Sequence, residues 1–193
     1  MSGIFSAIGA AFTWALACSI WQSKTINLSS VQINTIKNII ALVIFFPILF
    51  SFNWNNYRLE IIILFTSGAI GIALGDSLYI GALKRIGNRR TLTIEALSPI
   101  LANIIGAILI KEFPPFKAWL GSTIVGLSIF GIANQKKDFG IIDKENKEGF
   151  VLAFCSVLCA VFAATISRFI LTSSDLTALQ STEIRLLGAS IFL

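Results

Sequence analysis

Histidine is absent from this chain of 193 residues, and Asp, Glu, Lys and Arg together make up only 13% of it. Because histidine is the most frequent catalytic base and a common metal ligand, its absence argues against metal catalysis and against Ser–His or Cys–His chemistry. The three cysteines, Cys18, Cys155 and Cys159, lie inside apolar stretches without the spacing of a disulfide framework or a zinc site. We therefore expect neither an enzyme nor a bound cofactor.

Long uncharged runs fill the chain in place of polar residues. Hydrophobic residues account for 55% of it, and residues 2–23, 38–57 and 118–135 contain no charged side chain. A helix needs about 20 mostly apolar residues to cross the hydrocarbon region of a bilayer. The composition therefore predicts an all-α integral membrane protein, a multi-span helical bundle whose surroundings are the lipid bilayer.

Seven spans are predicted, and the last one runs to the final residue of the chain. They lie near residues 3–22, 31–52, 61–83, 91–110, 116–135, 149–171 and 178–193. A seventh span of about 16 residues is short for a bilayer, which favours a piece of a longer protein.

Basic residues gather in the connections that follow the first, third and fifth spans, and the formal net charge is +5. Such clustering is typical of cytoplasmic loops. It predicts a multi-pass protein of the plasma (inner) membrane with these loops in the cytoplasm and the N-terminus outside. Little polar surface remains for a nucleic acid, so no nucleic-acid partner is expected.

An internal repeat relates the second span to the seventh. Four residues of the second span have counterparts in the seventh span at one constant sequence separation. Gln32, Ile36, Lys37 and Ala41 correspond to Gln180, Ile184, Arg185 and Ala189. Five spans per unit is an odd number, so the second unit would be inverted relative to the first. The predicted architecture is therefore two inverted five-helix repeats. The first is complete at 1–135, a charged linker follows at 136–148, and 149–193 begins the second.

Four of the charged residues inside the predicted spans are candidates for function, because a charge there is costly and usually functional. Lys37 lies about 9 Å inside the second span, where it either snorkels to the headgroups or contacts a substrate. Arg185 occupies the equivalent position of the repeat. Asp76 is either a structural partner of Lys37 or a proton-coupling acid. Glu95 either lines a transport route or pairs with basic residues of the 84–90 loop.

Two aromatic residues complete the predicted substrate pathway. Trp14 lies in the middle of the first span, where it either lines a cavity or packs against other helices, and Tyr79 shares a helical face with Asp76. Glu183 is expected at the membrane interface instead.

Three further residues are assigned structural roles. Gly71 and Gly75 have the GxxxG spacing that allows transmembrane helices to pack closely. Pro99 removes a backbone hydrogen bond and is expected to bend the fourth span one turn after Glu95.

Several short motifs follow one another along most of the chain. They are Trp14-Ala15-Leu16, Gly75-Asp76-Ser77-Leu78-Tyr79, Ala82-Leu83-Lys84, Pro99, Glu112 and Trp119-Leu120-Gly121. In this order they resemble the EamA-domain family of the drug/metabolite transporter superfamily. Glu95 departs from the family pattern because it is more polar than the residue usual there.

The resemblance implies ten spans in two inverted repeats and a secondary transporter, a permease or exporter of small organic solutes that works by alternating access. It also implies both termini in the cytoplasm, which conflicts with the charges of the loops. The expected partners are a small-molecule substrate and the bilayer, and a homodimer is left open. The alternatives are a non-transporting membrane assembly or scaffold protein and a non-functional truncated transporter.

Overall fold

In the computed structural model of the protein, helices are the regular structure of the described residues, which are 2–22, 27–51, 57–111, 113–134 and 144–193. The helices are α1 Ser2–Trp21, α2 Ser30–Phe45, α3 Arg58–Gly68, α4 Asp76–Glu95, α5 Ser98–Leu109, α6 Phe116–Asn134, α7 Lys144–Ser173 and α8 Ala178–Phe192. A 3₁₀ segment at Phe46–Ser51 extends α2, and a π-helical segment at Ala69–Gly75 joins α3 to α4. The all-α prediction is confirmed.

The helices α2 and α8 begin with the same capping box. The Ser29 hydroxyl accepts a hydrogen bond from the Gln32 backbone N–H at 3.2 Å, and the Gln32 side chain accepts one from the Ser29 N–H at 2.8 Å. Thr177 and Gln180 repeat this arrangement at 3.3 and 3.0 Å. Each box satisfies backbone N–H groups that a first helical turn leaves without partners, so these polar residues determine where both helices start.

The helix α4 consists of two helices that meet at Gly87. This residue has φ 79° and ψ 164°, a conformation that glycine adopts without strain. A straight helix would hold Tyr79 and Glu95 about 24 Å apart, yet the Tyr79 hydroxyl donates to Glu95 Oε2 at 2.6 Å. The chain therefore reverses its direction at Gly87. This single residue forms the turn where the sequence predicts a loop over residues 84–90.

The π-helical segment is held in place by a side chain of α2. A π-helical turn takes backbone carbonyl groups out of the regular helical ladder, and such turns are frequent at functional sites. Nδ2 of Asn34 donates to the carbonyl oxygens of Ile72 at 2.7 Å and Ala73 at 3.1 Å, and to Ser77 Oγ at 3.0 Å. Because Asn34 is fully buried, this contact ties α2 to the backbone just before Asp76.

The predicted fourth span is broken near its start. After α4 ends at Glu95, the Leu97 N–H donates to the Ile94 carbonyl oxygen at 3.0 Å in a tight turn, and α5 begins at Ser98. Pro99 lies in the first turn of α5, a position that suits a residue without an N–H group. Proline cannot donate back to the preceding turn, so the helix is interrupted beside Glu95.

The long helix α7 packs against α3, α4, α5 and the π-helical segment. Glycines allow α7 to approach these neighbouring elements closely. A Cβ atom added to Gly71 would lie 2.6 Å from Ala163 Cβ, and one added to Gly149 would lie 2.4 Å from Ile86 Cγ2. Small residues of this kind allow membrane helices to approach without a hydrophobic driving force between them.

The helices α3 and α8 approach even more closely, backbone against backbone. A Cβ atom on Gly68 would lie 2.0 Å from the carbonyl oxygen of Arg185, and one on Gly188 would lie 2.2 Å from that of Phe65. The order of these contacts shows that the two helices run antiparallel, because Gly68 follows Phe65 whereas Arg185 precedes Gly188.

The connections after the odd-numbered spans meet at one end of the bundle. This end is called the basic end, and its described residues are 27–29, 84–90 and 144–149. Lys84 Nζ donates to the Leu28 carbonyl oxygen, and Arg85 Nε forms an ion pair with Glu148 Oε2 at 3.8 Å. The first, third and fifth connections therefore share one side, as their charges predict.

A buried apolar cluster lies toward the other end of the bundle. Leu64, Ile170, Leu176 and Ile184 form a buried cluster there, with Tyr57 packed against it. The cluster joins α3 to α7, α8 and the connection between them, so hydrophobic contacts hold these elements together here.

Four helical stretches of the described chain are long and apolar enough to cross a membrane: Gly3–Trp21, Ser30–Phe50, Arg58–Glu95 and Lys147–Ser173. The third folds back at Gly87, and two shorter apolar helices follow at Ser98–Leu109 and Phe116–Ile129. The helix α7 begins at Lys144, within the range 136–148 that the sequence assigns to the linker. Residues 135–143 and Glu112 lie outside the described residues.

Candidate functional site

An ion pair joins α2 to α4 inside the bundle. Lys37 Nζ donates to Asp76 Oδ2, and the two side chains are only 26% and 21% exposed. Pairing with Lys37 is one of the two roles that the sequence left open for Asp76. The carboxylate offsets a lysine charge that would otherwise be costly at this depth.

Arg185 of α8 lies beside this ion pair without joining it. Asp76 attracts its guanidinium group electrostatically, and a Cβ atom added to Gly71 would lie 3.3 Å from Arg185 Nη2. Its Nε atom is buried and has no hydrogen-bond partner in the described part of the chain. The two basic residues that the internal repeat relates, Lys37 and Arg185, are therefore both close to one carboxylate.

An aromatic cluster continues from the ion pair toward α4. Lys37 Nζ lies 5.8 Å from the centre of the Trp21 ring, within the range of a cation–π interaction. The Trp21 and Trp14 rings meet edge to face at 5.6 Å, and the Trp14 and Tyr79 rings lie 5.4 Å apart. One continuous set of contacts therefore leads from Lys37 to Tyr79.

Glu95 closes this set of contacts. Its Oε2 atom accepts the hydrogen bond from Tyr79, and Cys18 Sγ lies 3.5 Å from the same hydroxyl group. The indole N–H of Trp14 is buried near the Glu95 carboxyl group but does not reach hydrogen-bond geometry. Tyr79 thus holds the Glu95 carboxyl group inside the bundle.

A cavity of about 590 Å³ lies between α1, α4, α5 and α6. Trp14 lines it, and its polar lining residues are Arg89, Thr93, Glu95 and Ser98. A second cavity of about 530 Å³ lies between α5 and α7, and it shares Ser98 and Pro99 with the first. The break in the fourth span therefore lies between two spaces that could admit a small solute.

The two glycines assigned to close packing lie in the π-helical segment and face α7. The contact of Gly71 with Ala163 is given above, and a Cβ atom added to Gly75 would lie 3.3 Å from Cys159 Cβ. Their lack of side chains brings α7 close and leaves room for the Arg185 guanidinium beside the backbone.

Two residues outside the candidate set take part in this region. Asn34 supports the π-helical segment, and Asn38 Nδ2 donates to the Leu186 carbonyl oxygen at 3.2 Å and to Ser190 Oγ at 2.7 Å. The polar spacing of Asn34 and Asn38 on an apolar helix is the signal that points to both. Glu183 is 1% exposed, so its prediction at the membrane interface is wrong.

Comparison with known proteins indicates a membrane transporter, in agreement with the apolar helices of the structure. The family model described as the EamA-like transporter family matches residues 1–134. An uncharacterized transporter of Archaeoglobus fulgidus is 30% identical over 129 residues, an alignment that covers 66% of this chain and 45% of the relative. The chain thus spans less than half of the length of that relative. No solved structure matches the chain.

The matched residues include α1 to α6 and therefore Trp14, Lys37, Asp76, Tyr79 and Glu95. Apolar helices of spanning length, ionisable groups held inside the bundle and the family match agree with one another. The chain belongs to the EamA-like transporter family, a family of membrane transporters rather than enzymes.

Proposed function

We propose that this protein is a secondary transporter that moves small organic solutes across the plasma (inner) membrane by alternating access. The observation that carries the proposal is the continuous set of contacts from Asp76 through Lys37 to the aromatic cluster and Glu95, with Arg185 beside Asp76. Ionisable groups that face the interior of a membrane bundle commonly belong to substrate or ion pathways. The two adjoining cavities give such a pathway space for a solute.

Two related units are part of the proposal. The capping boxes of α2 and α8 occupy equivalent positions of the internal repeat, but α2 starts at the basic end and α8 starts at the other. Inverted repeats require such opposite directions. Asn38 also contacts Leu186, which lies 148 residues further along, the offset that relates Gln32 to Gln180. A pseudo-two-fold axis between α2 and α8 would bring a residue and its own equivalent together in this way.

Alternating access requires contacts between the units that can open. At the basic end, the Arg85–Glu148 ion pair joins α4 to α7, and both of its side chains are exposed. Exposed ion pairs typically contribute about 0–1 kcal/mol, so this link can break during a transport cycle. At the other end, the hydrophobic cluster around Leu64 and Ile184 would have to separate in turn.

The test is uptake by proteoliposomes from a pooled mixture of water-soluble metabolites, analysed by mass spectrometry after washing. We expect at least one small organic solute to accumulate relative to protein-free liposomes. The Lys37→Ala/Arg185→Ala double variant should insert into the membrane normally but lose this uptake, because it removes both cations from the site.

A matched control removes two cations from other positions. Arg58 and Lys117 are exposed near the starts of α3 and α6, and Arg58→Ala/Lys117→Ala should keep the uptake. The transport proposal would be refuted if correctly inserted protein enriched no solute from the mixture. Normal uptake by the Lys37→Ala/Arg185→Ala variant would remove these two residues from the route.

A further inference from the structure

We propose that the site around the Lys37–Asp76 pair binds an oxyanion group of the transported solute, a carboxylate or a phosphate, and that Arg185 recognises it. This inference rests on the transport function proposed above and names the class of its substrate.

The first argument is the charge of the site. Lys37 and Arg185 bring two positive charges to one carboxylate, Asp76, and the carboxylate is already in contact with Lys37. Among the described residues, Arg185 forms no ion pair of its own. A cation without a counter-charge is costly at membrane depth, and a bound anion would remove that cost.

Two other acidic side chains in the described part of the bundle, Glu183 and Glu95, do not supply the missing charge. Glu183 is two positions from Arg185 on α8, so the two side chains leave the helix about 200° apart. Glu95 accepts a hydrogen bond from Tyr79, at the far end of the aromatic cluster. The guanidinium group therefore remains available for a ligand.

The second argument is the unpartnered donor on the guanidinium group. The missing side chain of Gly71 leaves Arg185 Nη2 directly against the π-helical segment, and the Nε–H group is buried without an acceptor in the described part of the structure. The planar fork of N–H groups on arginine matches the two oxygens of a carboxylate or phosphate. An oxyanion would give this buried donor the acceptor that it lacks.

The third argument is the placement of the two cations. Lys37 lies seven residues after the start of α2, and Arg185 lies seven residues after the start of α8, so each is about 10 Å from its helix end. Because the helices start at opposite ends of the bundle, the two cations meet near its middle. Transporters with inverted repeats bind their substrates at this depth. The Trp21 ring beside Lys37 offers a face for an apolar part of the same solute.

Binding is tested with the purified full chain in detergent, using inorganic phosphate, phenylacetate and its neutral analogue phenylacetamide at matched ionic strength. We expect phosphate and phenylacetate, but not phenylacetamide, to raise the melting temperature in a concentration-dependent way. Arg185→Gln should weaken the binding of both anions at least about tenfold, because it removes a charge-assisted hydrogen-bond donor. Arg185→Lys, which keeps the charge but not the fork, should have an intermediate effect.

The control is Arg58→Gln, the same chemical change at an exposed position outside the bundle, and it should leave the affinities unchanged. Circular dichroism and gel filtration identify any variant that does not fold, and Lys37→Met then serves as the second test of the site. Equal effects of phenylacetate and phenylacetamide, no effect of any anion, or unchanged anion binding by Arg185→Gln would each overturn the proposal.

The metabolite uptake experiment separates this inference from the transport function. Accumulation of solutes that carry a carboxylate or phosphate supports both proposals. If only neutral or cationic solutes accumulate, the protein is a transporter but the anion site is wrong. If the anions bind at Arg185 and no solute accumulates, the site stands and the transport function fails.

Discussion

A hydrogen bond spans the helical hairpin of α4 and joins two residues that would be distant in a straight helix. The Tyr79 hydroxyl donates to Glu95 Oε2 at 2.6 Å across the turn at Gly87. We expect Tyr79→Phe to lower the free energy of unfolding by about 1–3 kcal/mol, because the buried carboxyl group would lose its donor. The measurement is the shift in the unfolding midpoint of the purified protein in mixed micelles of denaturing and mild detergent.

A double-mutant cycle isolates the interaction. Glu95→Gln alone also disturbs the pair, and the double variant Tyr79→Phe/Glu95→Gln should cost less than the sum of the two single variants. Strict additivity would mean that the hydroxyl and the carboxyl group contribute independently, against the contact described here.

The chemistry of single residues could be anticipated from the sequence better than their partners. A charge inside an apolar run identifies Lys37 and Asp76 directly, but helical spacing relates only neighbours on the same helix. The contact between Tyr79 and Glu95 depends on the turn at Gly87, which apolar patterning does not reveal. Glu183 was misplaced because its burial depends on neighbouring helices, whereas its sequence position suggested only nearness to a helix end.

Close packing of α3 against α8 is a property of whole elements and rests on two glycines. A Cβ atom on Gly188 would lie 2.2 Å from the carbonyl oxygen of Phe65, whereas one on Gly121 would meet nothing within 4 Å. We expect Gly188→Ala to destabilise the protein by about 1–3 kcal/mol or more, because a backbone atom cannot move aside as a side chain can. Thermal unfolding in detergent measures the effect.

The matched control is Gly121→Ala in α6. It should be neutral or stabilising by up to about 1 kcal/mol, since alanine favours a helix more than glycine does. A loss of stability in Gly121→Ala equal to that in Gly188→Ala would show that glycine matters for some reason other than the approach of the two backbones.

The π-helical segment is a second element whose stability can be tested. Asn34→Leu would leave the carbonyl groups of Ile72 and Ala73 without the donor that they share. We expect a loss of at least about 2 kcal/mol, because buried unsatisfied backbone groups typically cost about 1–3 kcal/mol each. Asn103→Leu is the control, since Asn103 donates only to Ser122 Oγ at 3.2 Å, and its cost should be below about 1 kcal/mol. Equal costs for the two variants would contradict the supporting role of Asn34.

At the scale of elements, the sequence predicts where helices occur but not how their backbones depart from regular geometry. Apolar runs and polar caps locate the spans, since both are local properties. The π-helical segment contains no proline, and its sequence resembles that of an ordinary apolar helix. Its irregular backbone hydrogen bonding therefore cannot be predicted without knowing that α2 packs beside it. Pro99, in contrast, signals the break in the fourth span because the missing N–H group is a property of the residue itself.

At the scale of the whole molecule, α4 and α7 connect the two proposed units at the basic end. There the Arg85–Glu148 pair and the contact of Gly149 with Ile86 connect residues of the two units. If transport requires this end to open, a covalent link across it must stop the cycle. The pair Ile86 and Gly149 suits such a link, because an ideal Cβ atom at position 149 lies 3.4 Å from Ile86 Cβ. Disulfides join Cβ atoms that are about 3.5–4.5 Å apart.

We therefore expect Ile86→Cys/Gly149→Cys, in a protein whose three native cysteines are replaced by alanine, to form a disulfide on mild oxidation. The oxidised protein should take up no solute in proteoliposomes, and a reducing agent should restore uptake. The reduced form is its own control, because it has the same substitutions without the bond. Ile86→Cys alone should transport before and after oxidation, which excludes damage by the oxidant. Full uptake by the quantitatively oxidised pair would show that the basic end stays closed throughout transport, and rocking of two units about a central site would then be ruled out.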